Sequence, residues 1–402
     1  PAPAFPEPEA EPAPAPAPFE ARTLRLVRKA RTMGRDWFED SSWFGGLPRL
    51  GAAPWPSDEH GTPLPFLAQI DLADVAAIAP TASLPGTGSL AFFLGDGAVV
   101  PVAAGHHDFT DPPQDLPPAF NEGGALFPQR TTRLTRWLFP FWPVALSDAA
   151  TGHGLAERDH PFYAVGVGEP VETLWWHSVH HFADRLRDAL DGADGAEGPI
   201  NTHRARLRDM REALSRIEND PDSDPYERDD AREDIEALTE ELARIEEQRR
   251  SLPEMLAALD SFLEGRAPWT QLTSDELEIV RDLLPETHER YGELAGDAVP
   301  ASLAEVATIS LRAMISGPDE ALAAIPAPLL ERINSEYRLP AEAEHRLFQR
   351  AHDSDELVLL ELAWDDMVEW WWPEEGRCQW RITPADAAAG NWHAARVVFI
   401  TD

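Results

Sequence analysis

One cysteine, Cys378, stands among 402 residues, which rules out an intrachain disulfide and any cluster of thiolate metal ligands. Lysine is as scarce. Lys29 is the single lysine among 34 basic residues, so the body of the chain offers no GK[ST] phosphate loop, no kinase-type strand lysine and no Schiff-base lysine. Positive charge is short overall: 71 acidic residues give a formal net charge of −37. A surface of that sign repels phosphate backbones, so nucleic acid and anionic membranes are not expected as partners, whereas a protein with a basic face is compatible. Solubility alone is the plainer account of the charge. No apolar run approaches the roughly 20 residues that span a bilayer, and no GxSxG elbow is present. The chain is expected to be cytoplasmic; it starts at Pro1 and not at Met, and a segment upstream could redirect it.

Proline, by contrast, is plentiful, with 38 residues. Pro1 to Pro18 alternates Pro with Ala and Glu, a composition that cannot build a core and favours an extended spacer, so residues 1–22 are expected to be a disordered tether. From Ser42 to Leu72 Gly and Pro are interleaved with Trp, Phe and Leu. Gly45 and Gly46 permit unusual backbone angles, and the prolines up to Pro65 exclude helix and sheet interior alike. The run PFLAQIDL that follows is short, apolar and continuous, the pattern of a covered strand.

SWFGGLP, APWP, GTPLPFLAQIDL and LPGTGSLAFFL resemble the opening pattern of the YwqG-like family of uncharacterised bacterial proteins, and EHRLFQ, LVLLELAWDD and WWWPEEGRCQWRITPADAAAGNW are similar to its closing pattern. The resemblance covers roughly the first 55 residues of the globular part and the last 60. It implies a fold and no settled activity, cofactor or site.

Along the chain, Leu24 to Met33 is expected as a short basic helix, Asp71 to Ile78 as a helical turn, Ser89 to Leu94 and Val99 to Val102 as strands, and Pro112 to Pro143 as irregular structure with edge strands. Thr173 to Leu190 has helical spacing. Leu207, Met210, Leu214 and Ile217 recur at steps of three and four, as do Ile235, Leu238, Leu242 and Ile245; NDPDSDP between them is a helix stop. Two helices with narrow apolar stripes joined by a tight turn make an antiparallel coiled-coil hairpin at about 201–250. Further helices are expected over 253–264, 274–284, 301–315, 318–324 and 328–336, then strands over 357–363, 376–382 and 397–400. FLAQIDL and GSLAFFL resemble VLLELAW and GRCQWRI, which suggests an internal duplication. The expected fold is α+β: a mixed or antiparallel sheet body formed by residues 23–190 and 341–402, with a helical insertion over 191–340.

His177, His181 and Asp184 fall at i, i+4 and i+7 of one helix face, where two imidazoles and a carboxylate could converge on zinc or iron. No HExxH pattern supplies a general base, and a polar helix face with hydrogen-bonded histidines is the plainer alternative. Asp220, Asp222 and Asp224 begin like a calcium loop, which fails at Pro225 and Ala231. GTGSLA precedes a strand and so is no dinucleotide fingerprint. Cys378 lies in an alternating strand as a core residue. Trp370, Trp371 and Trp372, if extended, put an indole on both faces of a strand, where Trp371 with Gln69, Arg377 and Asp366 could line a groove for a glycan or peptide; a packed Trp cluster is the alternative. The expected function is a non-enzymatic binding or protein-interaction module needing no cofactor. A metal-dependent hydrolase on His177, His181 and Asp184 and ligand capture at the Trp groove are the two alternatives.

Overall fold

The computed structural model describes residues 22–80, 84–119, 138–148, 171–196, 198–221, 224–296, 299–300, 302–336, 345–365, 367–370, 372 and 376–401. The Pro-Ala segment before Arg22, residues 120–137, Asp366 and Trp371 lie outside the described residues. Within them the fold is α+β, and none of the helices is long and apolar enough to cross a membrane.

Ten strands form one curled sheet in the order β10-β9-β8-β7-β1-β6-β2-β3-β4-β5. They are β1 (Leu24–Arg28), β2 (Trp43–Phe44), β3 (Phe66–Asp71), β4 (Ser89–Phe93), β5 (Val99–Val102), β6 (Trp142–Asp148), β7 (His345–Arg350), β8 (Leu357–Ala363), β9 (Arg377–Ile382) and β10 (Arg396–Ile400), and every ladder between them is antiparallel. The two ends of the chain therefore share one sheet, joined at the centre where β1 lies between β6 and β7.

Residues paired across a ladder point to one face. Phe44 is paired with Ala68 and Ala68 with Phe92, while Trp43 pairs with Gln69 and Gln69 with Ala91. Phe92 meets the Trp380 ring at 5.7 Å, and Trp380 Nε1 donates to the Phe93 carbonyl at 2.9 Å. Hence the two wings of the sheet curl toward each other with Phe44, Phe92, Trp370 and Trp380 inside. Gln69 and its neighbours lie on the outside. All seven residues of β8 are buried, so that both of its faces are covered.

Leu24 to Met33 forms strand β1 over its first half, not a helix. Leu24 and Leu26, two apart, face the interior, and two flanking strands supply the backbone partners that a five-residue helix would lack. The expectation of edge strands near Pro143 is likewise corrected, since β6 lies in the middle of the sheet. Pro143 stands near its start, where it pairs with Trp43 and its carbonyl accepts from Lys29 N–H.

The helices are α1 (Leu72–Ile78), α2 (Trp176–Gly192), α3 (Pro199–Asn219), α4 (Pro225–Leu263), α5 (Ser274–Ala295), α6 (Leu303–Ile315), α7 (Asp319–Ala323), α8 (Ala327–Glu336) and α9 (Pro384–Ala388). Two starts carry the same chemistry. Asp71 ends β3 and accepts from Ala73 and Asp74 N–H at the start of α1, and Thr383, just after β9, accepts from Asp386 N–H at the start of α9. β3-α1-β4 and β9-α9-β10 thus share one order, strand, capped helix, antiparallel strand. That is one strand away from the pairing suggested by the letters of FLAQIDL and VLLELAW.

Two hydrophobic clusters form. The first fills the curled sheet and takes in Leu311, Met314 and Ile315 of α6 with Leu322 and Ile333. The second lies among helices, with Phe182 and Leu186 of α2, Leu252 to Leu263 of α4, and Leu277, Leu284 and Tyr291 of α5. Adjacent residues mark the border, Trp175 in the first cluster and Trp176 in the second. α4 runs on through Pro253, and α5 through Pro285, where helix ends were expected. Burial of Leu252, Leu256, Leu259 and Leu263 offsets the bond that Pro253 cannot donate.

Candidate functional site

Several sets of polar side chains are held by the fold. The most enclosed lies between the wings of the sheet. β1 directs Arg28 inward, β7 directs His345 inward opposite Leu26, and Asp365 follows β8. Asp365 Oδ2 lies 3.0 Å from Arg28 Nε and 3.1 Å from His345 Nε2; its Oδ1 accepts from Met367 N–H at 2.9 Å. His345 Nδ1 accepts from Ala363 N–H at 3.1 Å, which makes Nε2 the protonated nitrogen that donates to Asp365. His345 is 0% and Asp365 1% exposed, and the imidazole is flanked edge-on by Phe44 and Trp370.

Burial pushes the His345 imidazole below its ordinary range, against the pull of Asp365. Burial also acts to raise the Asp365 carboxyl, yet Arg28, His345 and the Met367 N–H together hold it below the usual carboxylate range. The set is a carboxylate bound on both sides to donors, with a neutral histidine locked into one tautomer. It ties β1, β7 and the turn after β8 together in a dry interior.

On the outer face of the same wing, Glu361 of β8 accepts from Arg377 Nη1 at 3.0 Å and from Gln379 Nε2. Gln379 Oε1 in turn accepts from Arg381 Nε at 2.7 Å, and Arg381 Nη1 reaches Asp353 at 2.6 Å. Gln69 occupies the outer face of the other wing. Its amide accepts from Arg49 N–H at 2.7 Å and donates to Ser89 Oγ at 2.7 Å, fixing the proline-rich loop onto β3 and β4. The Arg49 guanidinium is stacked on Trp43 and Phe109. In sheet order five strands separate Gln69 from Arg377, and each is hydrogen-bonded within its own wing. Trp370 and Trp372 stack at 6.0 Å and are 0% and 6% exposed; Trp372 Nε1 donates to Ala363 O. Asp366 and Trp371 are outside the described residues, so the groove built on them remains a proposal.

The α2 histidines lie where helices meet the sheet body. His177 Nδ1 is 3.0 Å from Ser310 Oγ of α6, Ser310 shares a short hydrogen bond with Ser178, and the His177 ring stacks on Trp269 at 5.2 Å and on His181 at 6.1 Å. Asp184 is engaged by Arg187, which also holds Asp260 of α4. Burial, then His177 and Arg185, push His181 well below its ordinary range. Among the described residues no group of three His, Cys, Asp or Glu side chains is placed to hold a metal ion. Parallel stacking of the two imidazoles and the turn of Asp184 toward Arg187 account for that geometry. Cys378 is buried, and burial pushes its thiol up, away from the nucleophilic thiolate.

Sequence reasoning missed Arg28 and His345. Arg28 lies far along the chain from Asp365, so spacing carries no signal for it, and the 20 residues between His345 and Asp365 match no motif; the one hint was a histidine opening the otherwise alternating strand HRLFQR.

The last set lies on the α3–α4 hairpin. Asp224 caps α4 by accepting from Tyr226 N–H, and Pro225 takes the first helical position. At 1.5 Å per residue the 39 residues of α4 extend about 58 Å. Its C-terminal half lies in the helical core, whereas Leu207 and Leu238, though buried, belong to neither hydrophobic cluster. Around the turn acids dominate: from Glu212 to Glu241 only Arg216, Arg228 and Arg232 are basic. Tyr226 at the tip is 79% exposed.

Residues 42–109, from β2 through β5 and the loop after it, match a family described as a Domain of unknown function (DUF1963). The matched segment contains the Gly-Pro loop, Gln69, the Asp71 cap and four of the ten strands of the sheet. No curated protein matches the chain. The likeness is to an uncharacterised domain family, and it carries no named activity.

Proposed function

We propose that the protein is a non-enzymatic binding module of YwqG-like type, in which the sheet body is the scaffold and the distal α3–α4 hairpin presents the contact surface to a protein partner. One observation carries this reading. The hairpin is a paired-helix arm that leaves the helical core with its own small apolar seam and a strongly acidic tip, features the body does not use for its own packing. A partner with a basic face is the matching chemistry, and its association would weaken as salt screens the acids. The polar sets inside the body favour a scaffold over catalysis, since their donors and acceptors are spent on one another away from solvent.

The test is to replace residues 208–241 by a short Gly-Ser turn, which keeps Ile200 and Ile245 in the helical core, and to compare cross-linked partners of the intact and trimmed proteins in cells. Loss of a partner with the unfolding midpoint unchanged supports the reading. Retention of the same partners by the trimmed protein overturns it.

A further inference from the structure

A sheet that ends must do something with its edges, because the outermost strand presents unpaired N–H and C=O groups. At one end of this sheet β5 carries Pro101, which has no N–H to offer. β10 at the other end has the sequence RVVFI, with neither proline nor lysine.

Alternate residues of a strand direct their backbone groups to opposite edges. In β10 the outward set is known from two bonds to the β4–β5 turn: Gly97 N–H donates to Ala395 O at 2.7 Å, and Val397 N–H donates to Asp96 Oδ1 at 2.7 Å. The outward residues are therefore Ala395, Val397 and Phe399, with Arg396, Val398 and Ile400 facing β9. The turn covers only the first half of the edge. Beyond it, among the described residues, no side chain or backbone group meets Val397 O, Phe399 N–H or Phe399 O. At this same point Phe399 is 45% exposed, its ring tilted against Trp372 at 6.0 Å between centroids.

We infer that β10 pairs with β10 of a second copy of this chain, antiparallel and centred on Phe399. The occupant is argued from what that register brings together. Phe399 exchanges two hydrogen bonds with its symmetry mate, and each Thr401 N–H meets the other copy's Val397 O. The bond the register would lack, from Val397 N–H, is the one already given to Asp96. Val398 falls opposite Ile400 and Val397 opposite Thr401, β-branched against β-branched, while Arg396 stays with Glu356 of its own copy. The two Phe399 rings lie side by side on one face and cover each other. Such an interface is isologous and closes at two copies, which removes the edge that would otherwise recruit further strands. With a net charge of −37 on each copy, salt strengthens this association by screening the long-range repulsion.

Sedimentation equilibrium of the whole chain over a range of concentration and salt tests it, with two variants. Phe399→Pro removes an N–H that points away from β9, so the β9–β10 hydrogen bonds stay in place. Phe399→Lys keeps the N–H but sets two like charges against each other. The expected result is a concentration-dependent mass of two chains for the natural protein and a dissociation constant raised about thirtyfold or more in either variant. A single-chain mass for the natural protein at all concentrations overturns the inference, even if an added extended peptide binds the edge. So does unaltered dimerisation of Phe399→Lys, which decides the matter should Phe399→Pro fail to fold.

Discussion

In the sheet body, buried charged groups are answered: between the wings Asp365 by Arg28 and His345, and on the outer face Glu361 by Arg377 and Gln379 and Arg381 by Asp353. Along the α3–α4 arm the charges are outside, the ion pairs such as Arg204 with Glu246 and Arg232 with Glu218 are solvent-exposed, and Leu207 and Leu238 are the well-buried apolar contacts of the distal part. Buried pairs are costly to break because the remaining charge has no water to turn to, whereas exposed pairs contribute little. The contrast separates what holds the fold from what is free to meet a partner. On this contrast, stability is expected where the two ends of the chain interlock, and changes in the arm are expected to leave the scaffold folded.

Several measurements sharpen or break that contrast. The largest effect is expected at the enclosed carboxylate: Asp365→Ala leaves Arg28 and His345 without their shared acceptor and costs about 3–5 kcal/mol in urea unfolding. A cost near that of an exposed ion pair would mean that the sheet wings are not locked there.

The second effect is one of pH. His345 and His181 are held below their ordinary range in the folded protein, so below about pH 6.5 the unfolded chain takes up protons that the folded one refuses. Stability is therefore full above that pH and falls as acid is added, by up to about 1.4 kcal/mol per pH unit for each histidine. His345→Gln should flatten the slope of urea stability against pH by one histidine's share. An unchanged slope would show that His345 is not kept neutral.

A smaller loss, about 1 kcal/mol, is expected from Thr273→Ala, which removes the capping box that Thr273 and Glu276 form at the start of α5. The smallest is expected in the arm. Leu238→Ala should shift the unfolding of the body by no more than about 0.5 kcal/mol, while loosening the hairpin itself. A loss as large as that of a core leucine would erase the distinction between the regions.

Much of this division could be read from the letters alone. The covered strand after Pro65, the paired strands β4 and β5, the closing strands β8 to β10 and the helical hairpin all follow from hydrophobic period and turn chemistry. β1 was misread because Leu24, Leu26 and Val27 fit periods of two and of three to four equally well over five residues; only its position between β6 and β7 decides. Pro143, Pro253 and Pro285 each suggested a boundary, and in each case tertiary packing outweighs the local preference. The site was less legible than the fold. Arg28 is brought to His345 and Asp365 by the closing of the chain's ends, an event that leaves no spacing in the sequence, and the 20 residues between those two match no motif. The histidines of α2 had an inviting spacing, but stacking on Trp269 and bonding to Ser310 depend on helices that lie more than eighty residues further on.

Hydrogen exchange of the intact protein addresses the central claim most directly. If the two ends of the chain form one sheet and the arm stands apart from it, amides of β3, β4, β8 and β9 share a single slow class, and those from Met210 to Glu236 exchange much faster. Separate rates for the N-terminal and C-terminal strands, or an arm as protected as the sheet, would contradict the account.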